Sequence, residues 1–250
     1  MRVFYDLIGT RTSPRGGRYF ELPVIPKDKI NVLVFIHLLA FGLYMAMWYG
    51  GLFPEVMDQD TLHYYTRDIL AVSSRAQDLI FSWTTGLFTY QFIHRNAGEL
   101  VLSVMMLWLF GHILQKKIGQ LRVVAFYFIL VILSAIVFNL SHLLFPIFSG
   151  PGGIMEGAFG GVLGVMTTAV YFYGRARLRL GKKLRFSVWQ IYFAALLLSL
   201  VCVYKNNIAY ILVYLSSIWI GFRYARYLAG KHSDKPYIKK QDLAKVPANL

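Results

Sequence analysis

Hydrophobic residues form long uninterrupted blocks along this chain, and short charged segments separate the blocks. The run INVLVFIHLLAFGLYMAMWY, which begins at Ile30, contains no charged residue. A helix needs about 20 apolar residues to cross a bilayer. The pattern predicts spans at about residues 30–50, 93–114, 122–148, 155–174, 186–204 and 206–228. We therefore expect an all-α membrane protein in which six transmembrane helices form one bundle over residues 30–230.

The segment between the first two predicted helices, residues 51–92, differs from the other connections in its length and aromatic content. Its five acidic residues outnumber its two arginines, and aromatic residues such as Trp83 recur along it. Loops of this length are usually structured or functional. We expect short amphipathic helices in the outer membrane interface, where tryptophan and tyrosine are enriched. A solvated loop is the alternative.

Basic residues are distributed unevenly between the two sides of the predicted bundle. Of the 26 Lys and Arg residues, 22 fall on the side of the two termini and 4 on the other side. Cytoplasmic segments of membrane proteins carry such an excess. We therefore expect residues 1–29 to form a basic cytoplasmic arm and residues 231–250 a cytoplasmic tail. The arm lacks the apolar core of a signal peptide, so we expect the first span to remain uncleaved.

Composition narrows the classes of function that the chain can have. Hydrophobic residues make up 57% of it and charged residues 15%, while the net charge is +14. Because the basic residues lie between apolar blocks, membrane orientation explains them, and we expect the lipid bilayer and no nucleic acid as a partner. Cys202 is the single cysteine, and no histidines stand at ligand spacing. We therefore expect no bound metal and no cofactor.

Small residues recur at helical spacing in the fourth and sixth predicted helices. The fourth helix contains the run GAFGGVLG, in which two pairs of glycines four residues apart are interleaved. Small residues at this spacing let helix backbones approach closely inside a membrane. We expect the fourth and sixth helices to pack at the centre of the bundle. The expected packing positions are Gly157, Gly160, Gly161, Gly164, Ser217 and Gly221.

Three segments, in order along the chain, resemble signatures of the rhomboid intramembrane serine proteases. The stretch Phe88–Gly111 resembles their first-loop and second-helix signature, F-x-H-x4-H-L-x-x-N-x7-G, and His94 matches its first histidine. GAFGGVLG resembles the nucleophile motif G-x-S-G, and VYLSSIWIGFRYAR resembles the sixth-helix motif A-H-x-x-G-x-x-x-G. The resemblance covers about residues 30–230. The ending Tyr-Ala-Arg is common in a bacterial branch, which implies the bacterial inner (plasma) membrane.

The positions that carry chemistry in the family have changed in this chain. The resemblance implies a serine on the fourth helix that attacks the peptide carbonyl and a histidine on the sixth that takes its proton. Phe159 and Tyr214 stand at these positions. Phenylalanine has no nucleophilic atom, and tyrosine, with an ordinary pKa near 10, is a poor base at neutral pH. The resemblance therefore implies a catalytically degenerate member, a pseudoprotease.

The second helix departs from the family in the same way. The resemblance implies a histidine and an asparagine that help to hold the oxyanion, and these positions are Glu99 and Ser103. A carboxylate repels a developing oxyanion rather than stabilising it.

An acidic residue within a span is costly, so Glu99 should face a cavity or a partner. We expect Ser103 and Tyr214 to be able to hydrogen-bond the Glu99 carboxylate. A Glu99 that lies solvated at the outer interface, without a function, is the alternative. The expected ligand or client cavity contains His94, Glu99, Ser103, Glu156, Phe159 and Tyr214.

The degenerate signatures favour a membrane protein that binds transmembrane segments or client proteins without cleaving them, by analogy with inactive rhomboids and derlins. Two other functions stay open. One is an active rhomboid-type endopeptidase with relocated residues such as Ser103, although no histidine near Ser103 is an evident base. The other is a small transporter or channel, which needs several polar residues facing a pore, whereas only Glu99 meets that condition within the predicted spans.

Overall fold

The computed structural model describes residues 10–12, 18–20, 29–49, 71–73, 85–94, 96–144, 153–180, 184–204 and 209–233. The long helices in these ranges are α1 (Lys29–Tyr49), α2 (Ala97–Ile118), α3 (Gln120–Leu144), α4 (Phe159–Tyr173), α5 (Val188–Tyr204) and α6 (Ala209–Ser233). A short helix, Leu87–Thr89, continues into a 3-10 turn, Tyr90–Phe92, ahead of α2.

Within the described residues, three helices are long and apolar enough to cross a membrane. They contain the segments Lys29–Ala46, Ala97–Ile118 and Gln120–Leu144. The segments Phe159–Tyr173 and Val188–Val201 are apolar but shorter. The 15 residues of α4 rise about 22 Å, less than the roughly 30 Å of a hydrocarbon core. The described chain is thus a helical bundle of membrane type, with helices of unequal length.

Helix α4 forms the centre of the bundle. All residues from Phe159 to Met166 are buried, and a helix that is buried on all sides belongs in a core. It packs against α2, α3 and α6, while α1 packs on α2 and α3. The outer face of α1 exposes apolar side chains, including Phe35, Leu39 and Leu43.

The ends of α2 follow from two residues that flank it. The side chain of Asn96 accepts a hydrogen bond from the backbone N–H of Glu99 at 2.9 Å, so α2 begins at Ala97. Gly119, with a φ of +85°, ends it after Ile118. We had expected this helix over residues 93–114. His94 therefore precedes α2, and Glu99 lies in its first turn rather than in the middle of a span.

Six short strands accompany the helices in the described ranges. They are β1 (Thr10–Thr12), β2 (Arg18–Phe20), β3 (Val72–Ser73), β4 (Ile154–Met155), β5 (Arg177–Leu180) and β6 (Leu184–Ser187). One sheet has the order β1-β2-β5-β6, and β3 pairs with β4 in a second. The all-α expectation missed both sheets because the strands are only two to four residues long, and because two of the pairs, β2 with β5 and β3 with β4, join segments that are distant in sequence.

The strands also shift the helix boundaries that the apolar pattern predicted. The fourth span was expected from residue 155, but Met155 belongs to β4 and α4 begins at Phe159. The fifth was expected from residue 186, which belongs to β6. Helix α6 continues to Ser233, into the predicted tail. Most of the predicted interfacial loop 51–92, Trp83 included, lies outside the described residues, as does the tail beyond residue 233.

Candidate functional site

The segment that enters α4 is held in place by backbone groups from the end of the first loop. Gly157 donates its N–H to the carbonyl oxygens of Tyr90 at 3.1 Å and of Ile93 at 2.8 Å. Gly157 has a φ of +88°, a conformation that favours glycine over other residues. Strand β3, in the segment between the first two helices, also pairs with β4 just before Gly157. Backbone hydrogen bonds therefore link this first loop to the segment that leads into α4.

Phe159 and Tyr214 lie side by side at the centre of this region. Their ring centroids are 5.6 Å apart, with the ring planes tilted by 53°. Both residues are 4% exposed. The two positions that the resemblance assigns to the serine and the histidine are therefore in contact, and two aromatic rings fill the space between α4 and α6.

Glu99 reaches this region from the first turn of α2. A Cβ atom added to Gly157 would overlap the Glu99 carboxylate, so the carboxylate lies directly against the backbone at Gly157. An acidic residue in the first helical turn is also favoured by the helix dipole. Glu99 is only half-buried, and its position explains how the chain accommodates a carboxylate near the end of a span.

Ser103 lies one turn further along α2 and is 1% exposed. Its hydroxyl has no hydrogen-bond partner in the described part of the chain. The expected hydrogen-bonded cluster of Glu99, Ser103 and Tyr214 therefore does not include Ser103. A buried hydroxyl with no general base bonded to it is not an activated nucleophile.

His94 contacts α1, whereas the backbone of Glu156 contacts α6. The ring of His94 is 6.2 Å from that of His37 and 6.3 Å from that of Phe41, so it belongs to the contact with α1. Burial lowers the pKa of His94 to about 4, which leaves its imidazole neutral at pH 7. Glu156 is 5% exposed, and its backbone N–H donates to the hydroxyl of Tyr210 at 3.0 Å.

The small residues of α4 lie at its contacts with α3 and α6. A Cβ on Gly160 would meet Ser134 and Val213, and one on Gly161 would meet Val131 and Tyr127.

Gly164 and Gly221 lie where the backbones of α4 and α6 approach each other closely. A Cβ on Gly221 would lie 2.6 Å from the carbonyl oxygen of Gly164. The hydroxyl of Thr168 donates to the carbonyl oxygen of Gly221 at 3.0 Å. The hydroxyls of Ser134 and Ser217 are 3.2 Å apart, so α3 also joins this contact through a polar pair.

Sequence reasoning missed several polar side chains that hold the region together. Tyr90 donates its hydroxyl to the carbonyl oxygen of Val131 at 2.8 Å, and Tyr210 donates to that of Ile154 at 3.1 Å. His37 and Tyr127 are 2.9 Å apart through Nε2 and the hydroxyl. Tyrosines in apolar segments are common, so no sequence signal distinguished these from residues at the membrane interface.

An apolar cavity of about 610 Å³ lies between α2 and α5. On α2 it is lined by Leu102, Met105 and Leu109, and on α5 by Ile191, Ala195 and Leu198. Such a cavity accepts an apolar chain rather than a charged ligand. No group of three or more metal-ligating side chains occurs in the ranges that the structure describes.

Apolar helices around a buried central helix define the chain as a helical membrane protein. The sequence profile of the Rhomboid domain matches residues 82–229, more than half of the chain. The chain belongs to the rhomboid family and is an integral membrane protein, which confirms the resemblance read from its signatures. No curated protein matches it.

Proposed function

We propose that this rhomboid-family protein has no peptidase activity and binds transmembrane segments of client proteins. The observation that carries the proposal is the contact of Phe159 with Tyr214, whose ring centroids are 5.6 Å apart. Serine peptidases need a nucleophilic oxygen within hydrogen-bond reach of a base. Here the buried rings of Phe159 and Tyr214 occupy the two positions that the resemblance assigns to the nucleophile and the base, which supports the absence of that pair.

Glu99 also supports the absence of peptidase activity, because it stands at a position where the family helps to stabilise the oxyanion. Its carboxylate lies against Gly157, two residues before the position where the family carries its nucleophile. A negative charge at this place disfavours the developing negative charge of a tetrahedral intermediate. Even a relocated nucleophile near α4 would meet this unfavourable electrostatic environment.

The cavity between α2 and α5 supports the binding of clients. Its lining is almost entirely aliphatic and aromatic, with Gln190 as an amide among the lining residues. In a membrane, helices associate through close van der Waals packing. A transmembrane helix that packs between α2 and α5 would fill this space with side chains of matching polarity.

A serine-reactive fluorophosphonate probe tests the absence of catalysis. We expect no labelling of the purified full chain in detergent. Labelling that disappears in Ser103→Ala would overturn the proposal and establish a relocated nucleophile.

A rebuilt variant is the positive control for this experiment. Phe159→Ser and Tyr214→His restore the pair, while Glu99→His and Ser103→Asn restore the oxyanion donors. We expect the fourfold variant to be labelled roughly 100-fold faster than the variant that carries the first two changes alone. The negative control carries Phe159→Ala in place of Phe159→Ser, together with the other three changes. It has a cavity of similar size but no nucleophile, and it should remain unlabelled.

Photocrosslinking in native membranes tests client binding. A photoreactive amino acid replaces Met105 or Leu198 in the cavity, or Leu39 on the outer face of α1. The exposed fractions of these side chains are similar, at 48%, 53% and 50%. We expect the first two sites, but not Leu39, to form adducts that retain a membrane-embedded peptide after protease digestion. The same adducts at all three sites, or lipid adducts alone, would contradict the proposal.

We also propose that the protein lies in a bacterial inner membrane with six spans, which place both termini on one side, and that this side is the cytoplasm. The uneven distribution of basic residues supports this orientation. Further support comes from the pairing of β2 in the arm with β5 after α4. Two paired strands lie on the same side of a membrane, and both of these segments belong to the basic side.

A further inference from the structure

The pairing of the four-stranded sheet places arginines from three strands on one face. Arg179 on β5 is opposite Arg185 on β6. Arg177 is opposite Tyr19 on β2, which in turn is opposite Arg11 on β1. Residues directly opposite each other across neighbouring strands share a face. We call this the arginine face, and it consists of Arg11, Tyr19, Arg177, Arg179, Arg185 and Ser187.

At Leu178 the other face of the sheet is turned towards the protein, while Phe186, opposite Leu178 on β6, is 36% exposed. Leu178, between Arg177 and Arg179 on β5, is 1% exposed and belongs to the hydrophobic core. Successive residues of a strand lie on opposite faces, so the arginine face is turned away from that core. Arg177 and Arg185 are both exposed, in agreement with this placement.

The arginine face carries a concentration of one sign of charge. The strand residues of this sheet include no aspartate or glutamate. Guanidinium groups bind phosphate through two parallel hydrogen bonds, and Arg177 and Arg185 on this face are exposed.

The sheet lies next to the ends of two membrane helices. Strand β5 begins at Arg177, shortly after α4 ends at Tyr173, and β6 leads directly into α5 at Val188. In the first turns of α5 the rings of Trp189 and Phe193 stack at 5.2 Å, and 42% and 52% of these residues are exposed. Exposed tryptophan near a helix end marks the headgroup level of a bilayer.

We propose that the arginine face binds the phosphate groups of anionic phospholipids in the leaflet next to it. Its position beside the helix ends favours a lipid headgroup over a soluble anion, since basic segments next to membrane helices attract anionic lipids. This binding is independent of the proposed client function and of the region around Phe159.

Native mass spectrometry of the full chain in detergent tests the proposal. The protein is titrated with phosphatidylglycerol or with phosphatidylcholine of the same acyl chains. We expect a preference for phosphatidylglycerol, and roughly tenfold weaker binding of it by the variant Arg177→Gln/Arg179→Gln/Arg185→Gln. The matched control, Lys235→Gln/Lys239→Gln/Lys240→Gln, removes the same charge from the tail and should keep the preference.

Equal loss in both glutamine variants would overturn the proposal, because net charge alone would then explain the binding. Displacement of the lipid by soluble glycerol phosphate, or tighter binding of a short oligonucleotide than of the lipid, would also overturn it. If the glutamine variant fails to fold, the variant with lysine at the same three positions is used. It keeps the charge and should retain the preference, and a lysine variant without preference would contradict the proposal.

Discussion

Gly157 connects three parts of the candidate site through a single residue. Its N–H bonds to carbonyl groups at the end of the first loop, its φ of +88° turns the chain into α4, and its missing side chain leaves room for the Glu99 carboxylate. The close approach of Glu99 and the backbone turn therefore require glycine for two separate reasons. Sequence reasoning assigned this glycine to helix packing, and only its backbone angle reveals the turn.

Replacement of Gly157 with alanine should be costly. We expect Gly157→Ala to lower the free energy of unfolding by about 1–3 kcal/mol, because a Cβ at positive φ is strained and displaces the Glu99 carboxylate. Thermal unfolding in detergent measures the effect. In Gly157→Ala/Glu99→Ala the steric part of the cost should be relieved while the backbone part remains.

Gly230 provides the matched control for this substitution. It lies in α6 with nothing within 4 Å of its added Cβ, so Gly230→Ala should be neutral or raise stability by up to about 1 kcal/mol. If Gly157→Ala were as stable as this control, the described turn would be wrong.

At the level of elements, α4 and α6 are held together by close backbone approach and by a hydrogen bond, in addition to their apolar packing. The backbone of Gly221 approaches that of Gly164, and Thr168 hydrogen-bonds across the same contact. Close backbone approach increases the number of dispersion contacts, which drive helix association where lipid replaces water. The spacing of small residues indicated such a contact, but not that Gly161 would face α3 while Gly164 lies against both Leu130 of α3 and the backbone of α6.

A methyl group at this contact should separate the two helices. We expect Gly221→Ala to lower the free energy of unfolding by about 1–3 kcal/mol, because its Cβ would lie 2.6 Å from a backbone oxygen that cannot move alone. Steric trapping or thermal unfolding in detergent measures the change.

The control for this contact is Gly42 on α1, whose added Cβ meets nothing within 4 Å. Gly42→Ala should leave stability unchanged or raise it slightly. Equal effects of the two substitutions would show that α4 and α6 do not meet at Gly221.

At the level of the whole molecule, the sheet β1-β2-β5-β6 ties the arm before α1 to the connection between α4 and α5. These two segments must therefore lie on one side of the membrane. An even number of spans separates one from the other in the proposed six-helix topology. The pairing thus limits the possible topologies independently of the charge distribution.

Reporter fusions should locate both termini in the cytoplasm. We expect green fluorescent protein to fluoresce at either end in a bacterial host, and alkaline phosphatase at either end to be inactive. As a control, alkaline phosphatase fused after residue 60, in the predicted outer loop, should be active. An active phosphatase at one terminus would mean an odd number of spans, and an active phosphatase at both would reverse the orientation.

The sequence by itself determined that the chain belongs in a membrane and to which family it belongs. In lipid, the backbone N–H and C=O groups of an apolar run of about 20 residues must hydrogen-bond within the run itself, because no water is available, and a helix meets this requirement. The three signatures indicated the family from local spacing, which needs no knowledge of packing, and the match to the Rhomboid domain over residues 82–229 confirms it. The sequence also places Phe159 and Tyr214 at the positions where the resemblance implies a serine and a histidine.

Only the tertiary structure decided what lies next to what. Phe159 and Tyr214 touch although 55 positions separate them. Strand β2 pairs with β5 although the helices α1 to α4 lie between them along the chain. The sequence left open whether Glu99 lies within a span or at its outer end, and the structure places it in the first turn of α2 because Asn96 caps the helix there. Local patterns specify helices through bonds within a segment, whereas strand pairs, ring contacts and cavities depend on how distant segments meet.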